Sequence, residues 1–192
     1  MQNSEILIKS WNIYGIFKNI NGFIYNKLQD PDFIDHISKF KIFGLLESHH
    51  TADDIDKLQI YGYRCFQACR KKLKFGRKHC VIAVYVHNSI LTGVMKVPTA
   101  GSENIVLKLK KNFFKLDKDI MLLFSYCAPQ NSSFTVRSQL DPYADLEPKI
   151  SNLKNDSELI CLGDFNARVG DKLDFIPNED NTDLDLLSDY ST

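Results

Sequence analysis

The sequence contains no apolar run approaching the ~20 residues that cross a bilayer as a helix. Its first residues show no basic stretch leading into an apolar one, so no secretory signal is expected. Net charge is also missing, because 24 basic and 24 acidic side chains cancel. No second close-spaced cysteine pair accompanies Cys65 and Cys69, which argues against the common paired-cysteine zinc motifs. The five cysteines are an odd number and mostly sit in apolar strand-like runs such as Ile160-Cys161-Leu162. They are expected to be buried reduced thiols of an intracellular protein.

What is present is ordinary globular composition: 192 residues, 44% hydrophobic and 25% charged, enough for one domain with a real core. The zero net charge conceals an asymmetry. Residues 171–192 hold seven acids and a single base, Lys172, leaving 23 basic and 17 acidic residues, a net of +6, in 1–170. A basic body suits a polyanionic partner. The expected organisation is a domain over 1–170 followed by an acidic loop or disordered tail over 171–192.

The most informative stretch is Leu159-Ile160-Cys161-Leu162-Gly163-Asp164-Phe165-Asn166-Ala167-Arg168. An unbroken apolar run entering a glycine reads as a strand buried on both faces, with Gly163 permitting a turn or a close approach. Alternation along an extended chain would put Asp164 and Asn166 on one side. An acid that orients or deprotonates water, beside an amide that donates to a phosphate oxygen, is a workable site for phosphate chemistry. The competing reading is a polar turn that merely closes a strand.

Other strands end similarly. Ile6 to Ile13 is an apolar strand finishing on Trp11-Asn12, where Asn12 either reaches a metal or phosphate or caps the turn before Gly15. Asp30-Pro31-Asp32 reads as a helix N-cap with proline at the first position, and Phe33, Ile34, Ile37 and Phe40 supply an apolar face. Lys41 to Leu46 is a strand ending on Glu47, followed by His49-His50, and Ala52–Leu58 reads as a short exposed helix. Tyr63–Ala68 and Val81–Val86 are strands, Asn104–Lys110 is a half-exposed one, and a hairpin through Asp117-Lys118 leads into Asp119–Ser125, which ends on Tyr126. Helical spacing runs through Leu140, Tyr143, Leu146, Ile150 and Leu153, with Pro142 at its start and Pro148 a kink. Between Ala68 and Val81 lie six basic residues, Arg70, Lys71, Lys72, Lys74, Arg77 and Lys78, with Phe75 and Gly76 interleaved. That density suits a phosphate-contacting loop, against the plainer alternative of a solvated turn.

Asn12, Glu47, Tyr126, Asp164 and Asn166 thus stand at the ends of four buried-type strands. If they converge, they make an all-oxygen, amide-rich set suited to a hard cation such as Mg²⁺. In Ser10-Trp11-Asn12-Ile13, Gly44-Leu45-Leu46-Glu47, Tyr126-Cys127-Ala128-Pro129 and Gly163-Asp164-Phe165-Asn166-Ala167-Arg168, the chain resembles the endonuclease/exonuclease/phosphatase (DNase I-like) superfamily over roughly residues 5–170. Ser102-Glu103-Asn104-Ile105-Val106-Leu107-Lys108-Leu109 adds a likeness to the endonuclease domain of LINE-type non-LTR retrotransposons.

The resemblance implies a four-layer α/β sandwich of two packed mixed β-sheets flanked by helices. It also implies a Mg²⁺-dependent (or Mn²⁺-dependent) DNA endonuclease with DNA as partner, nuclear in location, and needing neither a membrane nor an obligate protein partner. By the same resemblance Glu47 and Asn12 hold the metal, Tyr126 donates to the phosphate, Asp164 activates water, and Asn166 holds a non-bridging oxygen. Two departures accompany it. His79-Cys80 stands where relatives often carry paired glycines. The closing Ser-Asp-His of the family has no counterpart, since Ser188-Asp189-Tyr190 follows Asn166 too closely and ends in Tyr. The second sheet is therefore expected to be incomplete, and the chain to be an amino-terminal portion of the domain. A non-catalytic nucleic-acid-binding remnant, or a phosphoesterase acting on a small or lipid phosphoester, remain the alternatives.

Overall fold

The computed structural model describes residues 5–70, 79–99, 103–129, 132, 135–136, 141–154 and 157–167. Most of the basic segment (71–78), Arg168 and the acidic tail lie outside them, so Lys71, Lys72, Lys74, Arg77 and Lys78 receive no structural account.

Among the described residues two four-stranded sheets form the body. The first has the order β1 (Ile8–Asn12), β4 (Ile42–Thr51), β6 (His79–His87), β5 (Tyr63–Cys69), with β1 parallel to β4 and the other pairs antiparallel. The second has the order β10 (Ser157–Asp164), β9 (Asp119–Tyr126), β8 (Asn104–Leu109), β7 (Val94–Val97), with only the β9–β10 pair parallel. A small hairpin, β2 (Phe17–Ile20) with β3 (Phe23–Asn26), stands apart from both and exposes Phe23 and Ile24.

Period-two alternation explains the layering. Ile42 and Leu46 of β4 join Ile82, Val84 and Val86 of β6 in facing Ile105, Leu107, Leu122 and Phe124 of the second sheet. Phe43, Leu45, Ala83 and Tyr85 point the other way, into a second cluster that takes in Ile37 of α1 (Pro31–Ile37). On the far side, Val106 and Leu123 pack against Leu146 of the last described helix, α3 (Pro142–Leu153). Helix, sheet, sheet, helix: this is the four-layer α/β sandwich that the resemblance implied. It closes tightly where Gly44 lies under Phe124, since a Cβ at position 44 would fall 2.4 Å from Phe124 Cδ1.

Helix starts follow their capping chemistry. Asp30 accepts from the N–H groups of Asp32 (2.9 Å) and Phe33 (3.2 Å), with Pro31 next. Asp141 does the same for α3 through Tyr143 and Ala144, with Pro142 next. Pro148 sits inside α3, which continues past it to Leu153. Ala52–Leu58 is a 3₁₀ helix, and Lys111–Phe114 forms a one-turn helix (α2) between β8 and β9, where a plain hairpin was expected.

Several expectations are corrected. Among the described residues β10 stands at the edge of its sheet, with Ile160 and Cys161 exposed, where the apolar run suggested burial on both faces. Composition alone does not distinguish a central strand from an edge covered on one side. β8 is buried almost throughout, because it lies inside its sheet and not at a rim. β4 does not stop at Glu47 but runs to Thr51 through a bulge. The cysteines are not all reduced: Cys69 and Cys80 form a disulfide, while Cys65, Cys127 and the exposed Cys161 are free.

Candidate active site

The site lies where strands of both sheets end together. In β1, Trp11 faces outward against Phe33 and Phe43, so its neighbour Asn12 takes the opposite side. In β9, Phe124 faces the first sheet and Tyr126 follows it two residues on; in β10, Leu162 does so and Asp164 follows. Parallel pairing puts Tyr126 and Asp164 directly opposite each other. Gly163 allows this, since a Cβ there would fall 2.0 Å from the Ser125 carbonyl oxygen. Alternation thus delivers Asn12, Tyr126 and Asp164 to one end of the cleft between the sheets.

Alternation alone would send Glu47 to the wrong face, beside Phe43 and Leu45. The bulge corrects this. Leu46 opposes Ile82 and His50 opposes Cys80, so β4 carries two extra residues there, and Glu47 and His49 both adopt left-handed backbone with φ near +50°. Such conformations are costly for residues other than glycine and cluster at functional sites. Here the bulge re-aims Glu47, and the Tyr126 hydroxyl donates to its Oε1 at 2.7 Å.

Asn12 Nδ2 donates to Asp164 Oδ2 at 3.0 Å. Asp164 Oδ1 accepts from the backbone N–H of Asn166 at 3.1 Å, so both carboxylate oxygens are held. β10 ends at Asp164, and Asn166 therefore does not share its side by strand alternation as expected. It sits beyond the strand in left-handed backbone (φ +45°), which asparagine tolerates. Its Nδ2 donates to the Cys127 carbonyl at 2.9 Å, tying the ends of β9 and β10 together and committing one of its two amide hydrogens.

Arg70 and Glu103 were not read as a pair from the sequence. The guanidinium forms a two-point ion pair with the buried Glu103 carboxylate, one arm being Nη2 to Oε2 at 3.0 Å. It also lies 5.9 Å from the centre of the Tyr126 ring. Thus the first residue of the basic segment faces the site and has a carboxylate partner. The Ser102–Leu109 segment that carried the retroelement likeness was the one signal that could have singled out Glu103.

Burial, the Glu47 hydrogen bond and the negative charges of Glu47 and Asp164 push the Tyr126 phenol well above its usual range, with Arg70 opposing them. It therefore remains a neutral donor at any physiological pH. The donors at the site are carboxylate, amide and phenol oxygens, and all five side chains singled out from strand ends stand at this end of the sandwich.

No protein-family model matches the chain, and no curated protein matches it either. Its shape is similar to the crystal structure of AP endonuclease LMAP from Leishmania major. The TM-score is 0.54 at 16% identity, covering 80% of this chain and 53% of that one. Lower-scoring likenesses are humanized D. rerio TDP2 (TM-score 0.48, 12% identity, 83% of this chain and 62% of that one) and the endonuclease domain of TRAS1, a telomere-specific non-LTR retrotransposon (TM-score 0.42, 21% identity, 69% and 50%). This chain and the Leishmania structure share a fold. The chain spans about half the length of the Leishmania structure it resembles. Among the described residues no helix is long and apolar enough to cross a membrane.

Proposed function

We propose that the chain is a metal-dependent phosphodiesterase of the endonuclease type, acting on DNA. The observation carrying this is the pair of hydrogen bonds that cross between the sheets, Asn12 to Asp164 and Tyr126 to Glu47. They unite at one cleft end four polar groups drawn from four different strands. The name of the similar Leishmania structure, an AP endonuclease, supports the same reading.

The donor set fits a hard divalent cation, since Glu47, Asn12, Asp164 and Asn166 offer oxygen and neither sulfur nor imidazole. Glu47 with Asn12 would hold Mg²⁺ or Mn²⁺, which supplies charge neutralisation at the phosphate. Asp164, fixed by Asn12 and the Asn166 N–H, takes a proton from the attacking water as its oxygen bonds to phosphorus. The P–O3′ bond opposite breaks, and the departing oxygen takes a proton from solvent water to become a 3′-hydroxyl. The remaining amide hydrogen of Asn166 donates to a non-bridging oxygen, where charge develops. The single O–H of Tyr126, which in this structure goes to Glu47, would have to turn from that carboxylate to do the same. Arg70, already at the site, and Lys71, Lys72, Lys74, Arg77 and Lys78 would contact the DNA backbone without reading sequence.

Nicking of supercoiled plasmid by the purified chain tests this, with Mg²⁺ or EDTA and beside Asp164→Asn. Relaxed circles that require Mg²⁺ and vanish in the variant are expected. A folded chain that retards DNA in a gel but never nicks it would overturn the enzyme reading. It would favour the binding remnant.

A further inference from the structure

A second cluster of chemically capable side chains lies on the first sheet. Cys80 of β6 is flanked in register by His50 of β4 on one side and Cys69 of β5 on the other. Three adjacent strands therefore present a row of imidazole, thiol and thiol on one face. One ligand atom from each lies within 4.8 Å of the others. A fourth group closes the set, for Gln67 Oε1 is 3.1 Å from His50 Nε2, 3.8 Å from Cys69 Sγ and 3.9 Å from Cys80 Sγ. His50 and Cys80 are fully buried.

The sequence argued against zinc because Cys65 and Cys69 lack a partner pair. That argument looked along the chain, whereas the structure gathers its ligands across three strands. We propose that in the reduced protein His50, Cys69 and Cys80 bind one ion of the zinc class, with Gln67 or a water completing the shell.

The chemistry is selective. Two thiolates and an imidazole suit Zn²⁺ or Co²⁺ and disfavour Mg²⁺. Two thiolates also cancel the ion's charge, which a buried site requires. Orientation is built in. The Ser48 hydroxyl donates to the Cys80 carbonyl (3.3 Å) and lies 3.0 Å from His50 Nδ1, ready to accept its proton and leave Nε2 for the metal.

Disulfide and metal exclude each other. A phosphine reductant with one water converts the disulfide into two thiols and a phosphine oxide. Binding of the ion then releases two protons from the thiols. Either state ties together the ends of the basic segment, whose first residue, Arg70, faces the candidate active site. The proposal stands whether or not the chain cleaves DNA.

The test is anaerobic titration of the phosphine-reduced full chain with Co²⁺, read by thiolate-to-cobalt charge-transfer absorption, with circular dichroism confirming the fold. One equivalent is expected to bind, Zn²⁺ to bleach the band, and a large excess of Mg²⁺ to leave it. Cys65→Ser and Cys161→Ser should retain the band and Cys80→Ser lose it. Cys69→Ser, at a strand end and less buried, serves if Cys80→Ser does not fold. His50→Gln should weaken binding by more than about 100-fold, and Ser48→Ala by about 10–100-fold, the range for loss of a group that supports a ligand. A folded, reduced chain without the band overturns the proposal, as does a band unchanged when Cys69 or Cys80 is replaced.

Discussion

The side-chain amide of Asn12 donates to Asp164 Oδ2 at 3.0 Å, joining residues 152 positions apart and on different sheets. The pair is solvent-accessible, so its worth to stability is small, about 1 kcal/mol or less. Its worth to the proposed chemistry is larger, because it aims the carboxylate.

Asn12→Ala gives up this bond and the one its Oδ1 accepts from the Tyr14 N–H at 2.9 Å. It is therefore expected to cost about 1 kcal/mol in urea unfolding, while Mg²⁺-dependent nicking falls by about 100-fold, the usual cost of misplacing a reacting group by an ångström. Nicking by Asn12→Ala that matches the wild type would mean that this amide neither aims Asp164 nor helps to hold the cation.

Tyr126→Phe removes the hydroxyl that orients Glu47 while keeping the ring. The expected cost in stability is about 1 kcal/mol, since Glu47 is only half-buried and can hydrate; nicking should fall much more. The phenol also makes a pH prediction. Its folded pKa lies above the ordinary value of 10, so its contribution is complete below that pH and is lost as the pH rises beyond it. Stability of the wild type relative to Tyr126→Phe, followed by urea unfolding, should be flat through neutral pH and decline in strong alkali. A decline beginning near pH 8 would contradict the buried, hydrogen-bonded phenol.

Much of this arrangement was legible along the chain, for reasons that differ by residue. Asn12, Tyr126 and Asp164 follow from apolar runs that end on polar residues, because alternation carries straight to the strand end. Glu47 was picked out by position, but its route to the site runs through a bulge that no local pattern announces. Asn166 was placed by extending a strand that stops at Asp164. The Arg70–Glu103 pair and the His50–Cys80–Cys69 row depend on which strands become neighbours. That is decided by packing of whole sheets, and spacing within one segment does not reveal it. The burial of β8 and the exposure of β10 were misjudged on the same ground.

Gly44 is explained by one contact. A Cβ there would lie 2.4 and 2.7 Å from Phe124 Cδ1 and Cε1, and Phe124 is fully buried. Gly44→Ala should cost about 1–3 kcal/mol through overpacking, seen as a lower urea midpoint with unchanged slope. Combining it with Phe124→Leu should recover part of the loss relative to the sum of the single changes. Strict additivity would show that the ring is not what position 44 meets.

Asp54 offers a test on the acid side, remote from the site. Burial pushes its carboxyl upward, but hydrogen bonds from Lys57, the Thr51 hydroxyl (2.7 Å) and the Thr51 N–H (2.9 Å) outweigh it and hold the pKa at about 2. The folded value lies below the ordinary 3.8. Its contribution is therefore complete above the ordinary value and lost as pH falls through the folded one. Asp54→Ala should cost about 1 kcal/mol at neutral pH, as loss of a helix-start carboxylate does. Other acids titrate in the same window, so the quantity to follow is the difference between wild type and variant. That difference should hold steady from about pH 7 to about pH 5 and shrink toward zero as the pH approaches about 2. A difference that persists undiminished in acid would mean the carboxylate's charge contributes nothing, leaving the Thr51 contacts to be made equally well by the protonated acid.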